Sequence, residues 1–170
     1  MSDGRRHRWP RTGIGYDIHA FAPGRRLVLG GIEIAHVAGL VGHSDADVLL
    51  HAIADALLGA AALGDIGEHF PPSDPRWKDV DSRRILEHVA NAVREAGFAP
   101  LQVDATVIAE APRIGPHARA MREVIAGCLD LTIADVGVKA TTNEGMGFVG
   151  RGEGVAALAV ATIVPVGDEG

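Results

Sequence analysis

Hydrophobic residues follow a strand pattern in four long stretches of the chain. The segments that alternate apolar and polar residues, or form a short continuous apolar run, are 13–21, 101–110, 135–142 and 153–166. Segment 25–34 has the same character on both sides of Gly30 and Gly31, which are residue types that form tight turns. The pattern therefore predicts four longer strands and one short hairpin.

Three other stretches place apolar residues every three to four positions, which predicts helices over 43–64, 81–97 and 115–131. Ser44 is the expected N-cap of the first helix, with Asp47 as a capping-box acid and Asp45 in the first turn. Gly97 is expected to end the second helix, and Pro116 fits the first turn of the third.

The strand over 153–166 is apolar on both faces, so both of its faces must be covered. The chain offers few helices for that purpose, which favours a neighbouring subunit as the second cover. The predicted fold is therefore an α/β (α+β) sandwich, with one mixed sheet, helices on one face and an oligomer on the other.

Composition limits the class of protein. Apolar residues make up 47% of the 170-residue chain, which is enough for a packed core. The net charge of −6 argues against nucleic acid or an anionic membrane as a main partner, because both require a basic surface. If the protein binds phosphates, metal cations must supply much of the positive charge.

The chain is expected to form a single domain over 13–165, with loose tails over 1–12 and 166–170. Its one cysteine, Cys128, permits no disulfide within the chain, which suits a reducing cytosol. The first 13 residues lack the apolar segment of a secretory signal, and no stretch is apolar enough to span a membrane.

A carboxylate and two imidazoles form the most informative constellation. Asp17 and His19 lie in the strand segment "GYDIHAF" and should share one face, with Cα atoms about 6.6 Å apart. Asp47, His51 and Asp55 follow at helical spacing and should line one side of the first helix. Asp17, His19 and His51 form a common catalytic zinc set.

Asp47, one helical turn before His51, could then orient a liganding imidazole by a hydrogen bond to the nitrogen that does not bind the metal. The alternative for all of these residues is a group of buried polar side chains that bond to one another without a metal.

Three loops are rich in residues that bind anions or hydroxyls, although each could also be an ordinary connection. The loop "ALGDIGEHFPPSDP" offers Asp65 and the backbone near Gly67 as partners for hydroxyl groups. The loop "AEAPRIGP" leads from a strand into a helix, where free N–H groups suit phosphate or a nucleobase edge. "KATTNEGMGFVGRGEG" combines hydroxyls with Glu144, a ligand type for hard cations. No GxGxxG motif comes directly after a predicted strand, and the chain lacks the Walker A, HExxH and GxSxG motifs, which disfavours the familiar classes that use them.

Taken together, these segments resemble the 2-C-methyl-D-erythritol 2,4-cyclodiphosphate synthases of the non-mevalonate isoprenoid pathway. The resemblance covers roughly residues 13–162 and rests on "GYDIHAF", "GHSDADVLLHAIADALLGAAALGDIGEHFPPSDP", "AEAPRIGP" and "KATTNEGMGFVGRGEG", in that order. The long second segment is the most specific of the four.

The resemblance implies a homotrimer, with the open sheet face toward the trimer axis and active sites between adjacent subunits. The lack of a transit peptide favours a bacterial cytoplasm over a plastid. It implies one Zn²⁺ per subunit on Asp17, His19 and His51, and Mg²⁺ or Mn²⁺ with the substrate on Glu144. The matching positions also make His43 and Thr142 catalytic, His43 by assisting transfer and Thr142 by stabilising the transition state.

The remaining matches are substrate contacts. Ser44 matches a phosphate contact, and the pocket for the methylerythritol hydroxyls corresponds to Asp65, Ile66, Gly67, Phe70, Pro71, Pro72, Ser73 and Asp74. The cytidine and phosphate end corresponds to Ala109, Glu110, Ala111, Pro112, Arg113, Ile114, Gly115, Thr141 and Asn143. Phe148 and Arg151 match residues of a cavity on the trimer axis that binds an isoprenoid diphosphate in some relatives.

The chain departs from the family pattern at three of these places. Asn143 stands where many relatives have a third threonine, and Arg113 stands where lysine is common. Leu158 stands where relatives that bind a ligand in the axial cavity have a glutamate, so the resemblance does not extend to that ligand.

The implied enzyme is a phosphorus–oxygen lyase. It converts 4-diphosphocytidyl-2-C-methyl-D-erythritol 2-phosphate to the 2,4-cyclodiphosphate and CMP by metal-assisted phosphoryl transfer within one molecule. Two alternatives share the same residues: a zinc-dependent hydrolase of nucleotide diphosphates, and a non-catalytic trimer that binds nucleotides or prenyl diphosphates.

Overall fold

The computed structural model describes residues 9–167, and the parts of the predicted tails over 1–8 and 168–170 lie outside this range. The strands are β1 (Arg11–Pro23), β2 (Leu27–Leu29), β3 (Ile32–Ile34), β4 (Ala38–Leu40), β5 (Phe98–Ile108), β6 (Val136–Thr141) and β7 (Gly154–Pro165). The helices are α1 (Val48–Ala61), α2 (Ile66–His69), α3 (Ser82–Glu95), α4 (Ala118–Leu129) and α5 (Gly147–Gly150). Every predicted long strand and helix is present.

Five strands form one mixed sheet in the order β4-β1-β7-β5-β6. The β5–β6 pair is parallel, and the β4–β1, β1–β7 and β7–β5 pairs are antiparallel. β2 and β3 form the predicted hairpin, and both of its turn glycines, Gly30 and Gly31, have positive φ. The predicted mixed sheet of an α+β fold is thus confirmed.

The core lies between the sheet and its helices. α1 packs on β1 and β7, α3 packs on α1 and β5, and α4 packs on α3 and β6. Leu49, Ile53 and Leu57 of α1 and Leu86 and Val89 of α3 are fully buried. α1 is buried on nearly every side because it lies between the sheet and α3, whereas α3 buries a single apolar stripe.

The other side of the sheet is open in the single chain and exposes large apolar side chains. We call this surface the open face and define it by Ile14, Tyr16, Ile18 and Leu158, which are 38–67% exposed. Tyr16 pairs with Leu158 across β1 and β7, so the side chains form a continuous apolar strip. A strip of this kind is typical of a surface that another molecule covers.

The start of the first helix differs from the prediction. α1 begins at Val48, and its N-cap is Asp47 instead of Ser44, because the Asp47 side chain accepts hydrogen bonds from Leu49 N and Leu50 N. Ser44 lies in the preceding turn, where its hydroxyl accepts from Ala46 N. Ser44, Asp45 and Asp47 are all residue types that can cap a helix. Asp47 is held at the cap position because its carboxylate also accepts hydrogen bonds from Gly30 N and Gly31 N of the β2–β3 hairpin.

Short elements were missed by the sequence patterns. The three-residue β4 and the four-residue α2 and α5 are too short to show a period. Within residues 9–167, every helix is too short or too polar to span a membrane.

Candidate active site

Three donor atoms from β1 and α1 converge on one point. Asp17 Oδ2 lies 2.9 Å from His19 Nε2 and 3.1 Å from His51 Nδ1, and the two ring nitrogens are 3.4 Å apart. We call these three atoms the tripod. The predicted ligand set is therefore brought together, and each of the three residues is partly buried.

The spacing of the tripod suits a divalent metal ion. Zinc binds nitrogen and oxygen ligands at about 2.0–2.2 Å in tetrahedral geometry, which separates the ligand atoms by about 3.3 Å. The observed separations of 2.9–3.4 Å fall around that value. Two imidazoles and one carboxylate leave a fourth position for a substrate oxygen, as catalytic zinc sites do.

Two glycines allow the strand and the helix to approach closely enough to form the tripod. A Cβ atom at Gly15 would lie 1.9 Å from Ala52 O, and one at Gly13 would lie 2.1 Å from Ala56 O. β1 therefore packs against the backbone of α1 without an intervening side chain. Asp17 and His19 continue on the same face of β1 and so meet His51 one turn before Asp55.

The charges of the tripod favour binding of a cation. Burial opposes ionisation of Asp17, but hydrogen bonds and charge from His19 and His51 outweigh it and lower the pKa of Asp17 to about 2. Burial also disfavours the charged form of His51, but the carboxylates of Asp17, Asp47 and Asp45 outweigh that effect and raise the pKa of His51. The site thus has a permanent anion and a strong affinity for a proton or for a metal ion that replaces it.

Asp47 does not orient a liganding ring, contrary to the sequence prediction. Its fully buried carboxylate accepts hydrogen bonds from Gly30 N, Gly31 N, Leu49 N and Leu50 N. Burial raises the pKa of Asp47 to about 6, against the opposing effect of these N–H donors. Asp47 thus joins the β2–β3 turn to the start of α1.

The other acid on this helix side, Asp55, has a local role as well. Asp55 Oδ1 accepts from Ile66 N at 2.8 Å, which fixes the start of α2 beneath the tripod. Burial raises the pKa of Asp55, with nearby Asp65 and Asp17 acting in the same direction. Of Asp47, His51 and Asp55, only His51 joins the tripod.

A cavity of about 260 Å³ opens beside the tripod. In addition to the three tripod residues, its lining contains His43, Ser44, Ile66, Gly67, Phe70, Pro72, Trp77 and Ile85. The first six of these were predicted as substrate contacts or as a catalytic residue. Trp77 and Ile85 were not, because they come from a loop and a helix stripe without any polar signal.

Two residues predicted for the hydroxyl pocket cap local elements instead of lining this cavity. The Asp65 side chain accepts from Glu68 N at the start of α2. Asp74 accepts from Arg76 N and forms an ion pair with the Arg76 guanidinium, which lowers the pKa of Asp74. Pro71 and Ser73 lie in the same loop and are also absent from the lining.

Contacts between aromatic rings hold the two ends of the loop Phe70–Trp77 together. Phe70 and Trp77 pack edge to face with ring centroids 4.7 Å apart, and His88 contacts Phe70 at 5.2 Å. The indole Nε1 of Trp77 is buried and has no hydrogen-bond partner among residues 9–167. The loop therefore forms a largely apolar wall opposite the polar tripod.

A second cavity, of about 320 Å³, lies at the ends of β5 and β6. Its lining combines two of the predicted segments: Ala109, Glu110, Pro112, Arg113, Ile114, Gly115, Pro116, Ala140, Thr141 and Thr142. β1, β5 and β6 run in the same direction, so their carboxyl ends meet at one edge of the sheet. Both cavities therefore open at this edge.

Glu110 holds the adjacent loop that contains Thr142 and Glu144. Glu110 Oε1 accepts from Asn143 N at 2.8 Å and from Gly145 N at 3.4 Å. Thr142 Oγ1 donates to Glu144 Oε1 at 3.3 Å, and Glu144 has a left-handed backbone with φ of 52°. The loop thus presents a hydroxyl and a carboxylate side by side.

Phe148 and Arg151 lie in and just after α5, and neither is among the residues that line the two cavities. Phe148 is 40% exposed, and Arg151 Nε donates to Glu153 Oε1 at 2.6 Å. In the single chain their side chains lie on an exposed surface.

Comparison with known proteins agrees with this geometry. The model of the YgbB family matches residues 10–164. A 2-C-methyl-D-erythritol 2,4-cyclodiphosphate synthase of Chlorobium phaeobacteroides is 57% identical over 153 residues, which cover 90% of this chain and 96% of the relative. The synthase of Salinibacter ruber is 59% identical over 153 residues, covering 90% of this chain and 98% of the relative.

Solved structures share the fold. The bifunctional IspDF of Campylobacter jejuni superposes with a TM-score of 0.89 at 43% identity, over 92% of this chain and 42% of that protein. IspF of Plasmodium falciparum, solved as a CDP complex, superposes with a TM-score of 0.82 at 28% identity, over 95% of this chain and 99% of that one.

Proposed function

Since the chain belongs to the YgbB family, we propose that it converts 4-diphosphocytidyl-2-C-methyl-D-erythritol 2-phosphate to 2-C-methyl-D-erythritol 2,4-cyclodiphosphate and CMP. It is a phosphorus–oxygen lyase of the non-mevalonate isoprenoid pathway. The observation that carries the proposal is the tripod of Asp17, His19 and His51 at the wall of a cavity of about 260 Å³.

The reaction joins two phosphate groups of one molecule. An oxygen of the 2-phosphate bonds to the β-phosphorus, the bond from that phosphorus to the α-phosphate oxygen breaks, and CMP leaves with the electron pair. The nucleophile is already an anion, so the protein needs no covalent nucleophile. Its task is to hold the two anionic groups together and to offset their charge.

Zn²⁺ on the tripod and Mg²⁺ or Mn²⁺ on Glu144 would supply positive charge to the two phosphate groups during transfer. Asp17, His19 and His51 would hold the first ion, and Gly13 and Gly15 allow the close packing of β1 on α1 that brings these three side chains together. Glu144 offers its carboxylate beside the Thr142 hydroxyl, which donates toward developing charge. An acidic chain can in this way bind a highly anionic substrate.

The side chains around the tripod orient the sugar phosphate. His43 and Ser44 lie in the lining beside the tripod and donate to phosphate oxygens, with His43 assisting transfer. The backbone around Ile66 and Gly67 binds the methylerythritol hydroxyls, and Phe70 and Pro72 exclude water from that end. The second cavity, from Ala109 to Gly115 with Thr141, receives the cytidine.

The functional assembly is a homotrimer in which neighbouring subunits cover the open face. The exposed apolar strip of Ile14, Tyr16, Ile18 and Leu158 supports this assignment. The cavity beside the tripod and the second cavity share no lining residue. This separation is consistent with an active site that takes its sugar-phosphate end from one subunit and its cytidine end from the next. The assignment to the bacterial cytoplasm rests on the family resemblance.

Product analysis tests the proposed reaction. Purified protein is incubated with the linear substrate, Zn²⁺ and Mg²⁺, and the products are separated and weighed by mass spectrometry. We expect CMP and a cyclic diphosphate whose formation adds no water, and loss of both products after chelation. An open-chain product that contains added water would indicate a hydrolase, and binding without release of CMP would indicate a non-catalytic protein.

A further inference from the structure

The second nitrogen of the His51 ring faces two serine hydroxyls on the side away from the tripod. His51 Nε2 lies 2.9 Å from Ser82 Oγ and 3.2 Å from Ser44 Oγ. A ring that offers its Nδ1 lone pair to a metal must carry its proton on Nε2. The ligand therefore needs a hydrogen-bond acceptor at Nε2.

Ser82 is arranged to be that acceptor. Its hydroxyl donates to Asp45 Oδ1 in a short hydrogen bond, and its backbone N–H donates to Asp45 Oδ2 at 3.0 Å. An ionised carboxylate can only accept, so the Ser82 proton points to Asp45 and the Ser82 lone pairs remain for His51. Ser82 is fully buried at the first position of α3, which excludes water as a competing partner.

Ser44 is the weaker partner of the same nitrogen. Its hydroxyl is farther from Nε2 and also accepts from Ala46 N at 3.2 Å. Ser44 lines the tripod cavity, whereas Ser82 does not contribute to that lining. The two serines are therefore suited to different tasks, Ser44 on the substrate side and Ser82 behind the ligand.

We propose that Ser82, held by Asp45, is a positioning residue for the metal ligand His51. Ser82 accepts the Nε2 proton, fixes the ring in the tautomer that binds metal, and aims Nδ1 at Asp17 Oδ2 and His19 Nε2. The inference rests on the proposed metal site and deepens it by assigning the outer support of one ligand. Outer hydrogen-bond partners of liganding histidines typically change metal affinity by about 10- to 100-fold.

The test measures zinc dissociation constants for metal-free wild-type protein, Ser82→Ala, Ser82→Thr and Ser44→Ala, by competition with a chromophoric chelator. We expect Ser82→Ala to bind zinc about 10- to 100-fold more weakly, and Ser82→Thr, which keeps the hydroxyl, to recover most of that loss. Ser44→Ala should weaken zinc binding by less than about tenfold, the lower end of the effect of an outer partner, because Ser82 still accepts from Nε2.

The visible spectrum of the Co²⁺-substituted protein adds a readout that a purely structural role would not move. The ligand-field bands should shift in Ser82→Ala and return in Ser82→Thr, while the melting temperatures of the metal-free proteins report any loss of folding. Wild-type zinc affinity in folded Ser82→Ala would overturn the inference. Equal weakening in both Ser82 variants would also overturn it, because packing and not the hydroxyl would then be responsible.

The same experiment separates this inference from the proposed metal site. Wild-type protein that binds no zinc would reject the metal site and the inference together. Wild-type protein that binds one zinc ion per chain, combined with an unaffected Ser82→Ala, would reject only the role of Ser82.

Discussion

At the scale of single residues, the account depends on His51, the one tripod ligand from α1. His51 Nδ1 is 3.1 Å from Asp17 Oδ2, the side chain is 12% exposed, and Nε2 has a polar partner in Ser82. His51→Ala should lower zinc content from one ion per chain to nearly none, since loss of a ligand should exceed the roughly 100-fold effect of an outer partner. Elemental analysis of dialysed protein measures this.

A matched histidine provides the control. His36 stacks on Phe21 and hydrogen-bonds to Ala38 O, so His36→Ala removes an imidazole from outside the tripod. The zinc content of the His36→Ala variant should stay at one ion per chain. Normal zinc content in folded His51→Ala would reject the ligand assignment.

The raised pKa of His51 predicts how zinc binding depends on pH. Burial lowers the pKa of His51, but the hydrogen bond to Asp17 and the charge of its carboxylate outweigh burial and raise it. The protonated ring therefore stabilises the metal-free fold below the ordinary imidazole pKa of about 6.5. That stabilisation is lost as the pH rises through the raised pKa, and a zinc ion then replaces the proton. Apparent zinc affinity should therefore fall about tenfold per pH unit once the pH drops below the raised pKa.

Calorimetric titration with zinc between pH 5.5 and 8.5 checks this dependence. The decline should begin above pH 6.5 because the shift is upward. Proton release, obtained from titrations in two buffers with different ionisation enthalpies, should accompany binding. Zinc affinity that stays constant from pH 8 to pH 6 would contradict the assignment of His51 as a ligand with a raised pKa.

Local patterns located the tripod residues but not their supports. Strand alternation put Asp17 and His19 on one face, and helical spacing put His51 within reach. The role of Asp47 was misread because its partners, Gly30 N and Gly31 N, are 16 to 17 residues away in the chain. Ser82 was missed for the same reason, since its contact with His51 spans 31 residues.

At the scale of elements, the close packing of β1 on α1 sets the width of the tripod. A Cβ atom at Gly15 would lie 1.9 Å from Ala52 O, and backbone cannot move aside as a flexible side chain can. Gly15→Ala should lower the free energy of unfolding by about 3 kcal/mol, at the upper end of the usual cost of overpacking. It should also weaken zinc binding, because β1 must move away from α1.

Gly59→Ala, in helix α1, is the control for Gly15→Ala in strand β1. A Cβ atom at Gly59 would lie 3.9 Å from its nearest neighbour, Ile14 O, and the position is exposed. Alanine should therefore be neutral or stabilise the protein by roughly 0.5–1 kcal/mol through helix propensity. Urea denaturation of both variants measures the difference, and equal stability of Gly15→Ala and wild type would contradict the packing argument.

Element prediction succeeded where the apolar period was long and failed where the chain turns quickly. The stripe of α3 and the alternation of β5 gave both elements to within about three residues. α2 and α5 have four residues each and depend on loop packing, such as the bond from Ile66 N to Asp55. The loops could therefore be named as candidate site segments, but their shapes could not be predicted.

At the scale of the whole molecule, the open face predicts assembly. Ile14 is 67% exposed in the single chain and belongs to the strip formed with Tyr16, Ile18 and Leu158. We expect the protein in solution to have three times the 17.7 kDa mass of the chain. Ile14→Lys should shift it to the monomer and lower turnover, because a buried unpaired charge is strongly unfavourable.

Val37→Lys is the matched control, since Val37 is also apolar and 91% exposed but lies between β3 and β4. Sedimentation velocity at several concentrations compares the two variants with the wild type. A monomeric wild-type protein, or an Ile14→Lys variant with unchanged mass, would contradict the assembly proposed for the open face.

Anomalous diffraction can decide whether Asp17, His19 and His51 together hold a divalent metal ion. Crystals grown with Zn²⁺ are measured on both sides of the zinc absorption edge. We expect one strong anomalous peak per chain, about 2.0–2.2 Å from each tripod atom. A peak elsewhere, or none while the three side chains point apart, would contradict it.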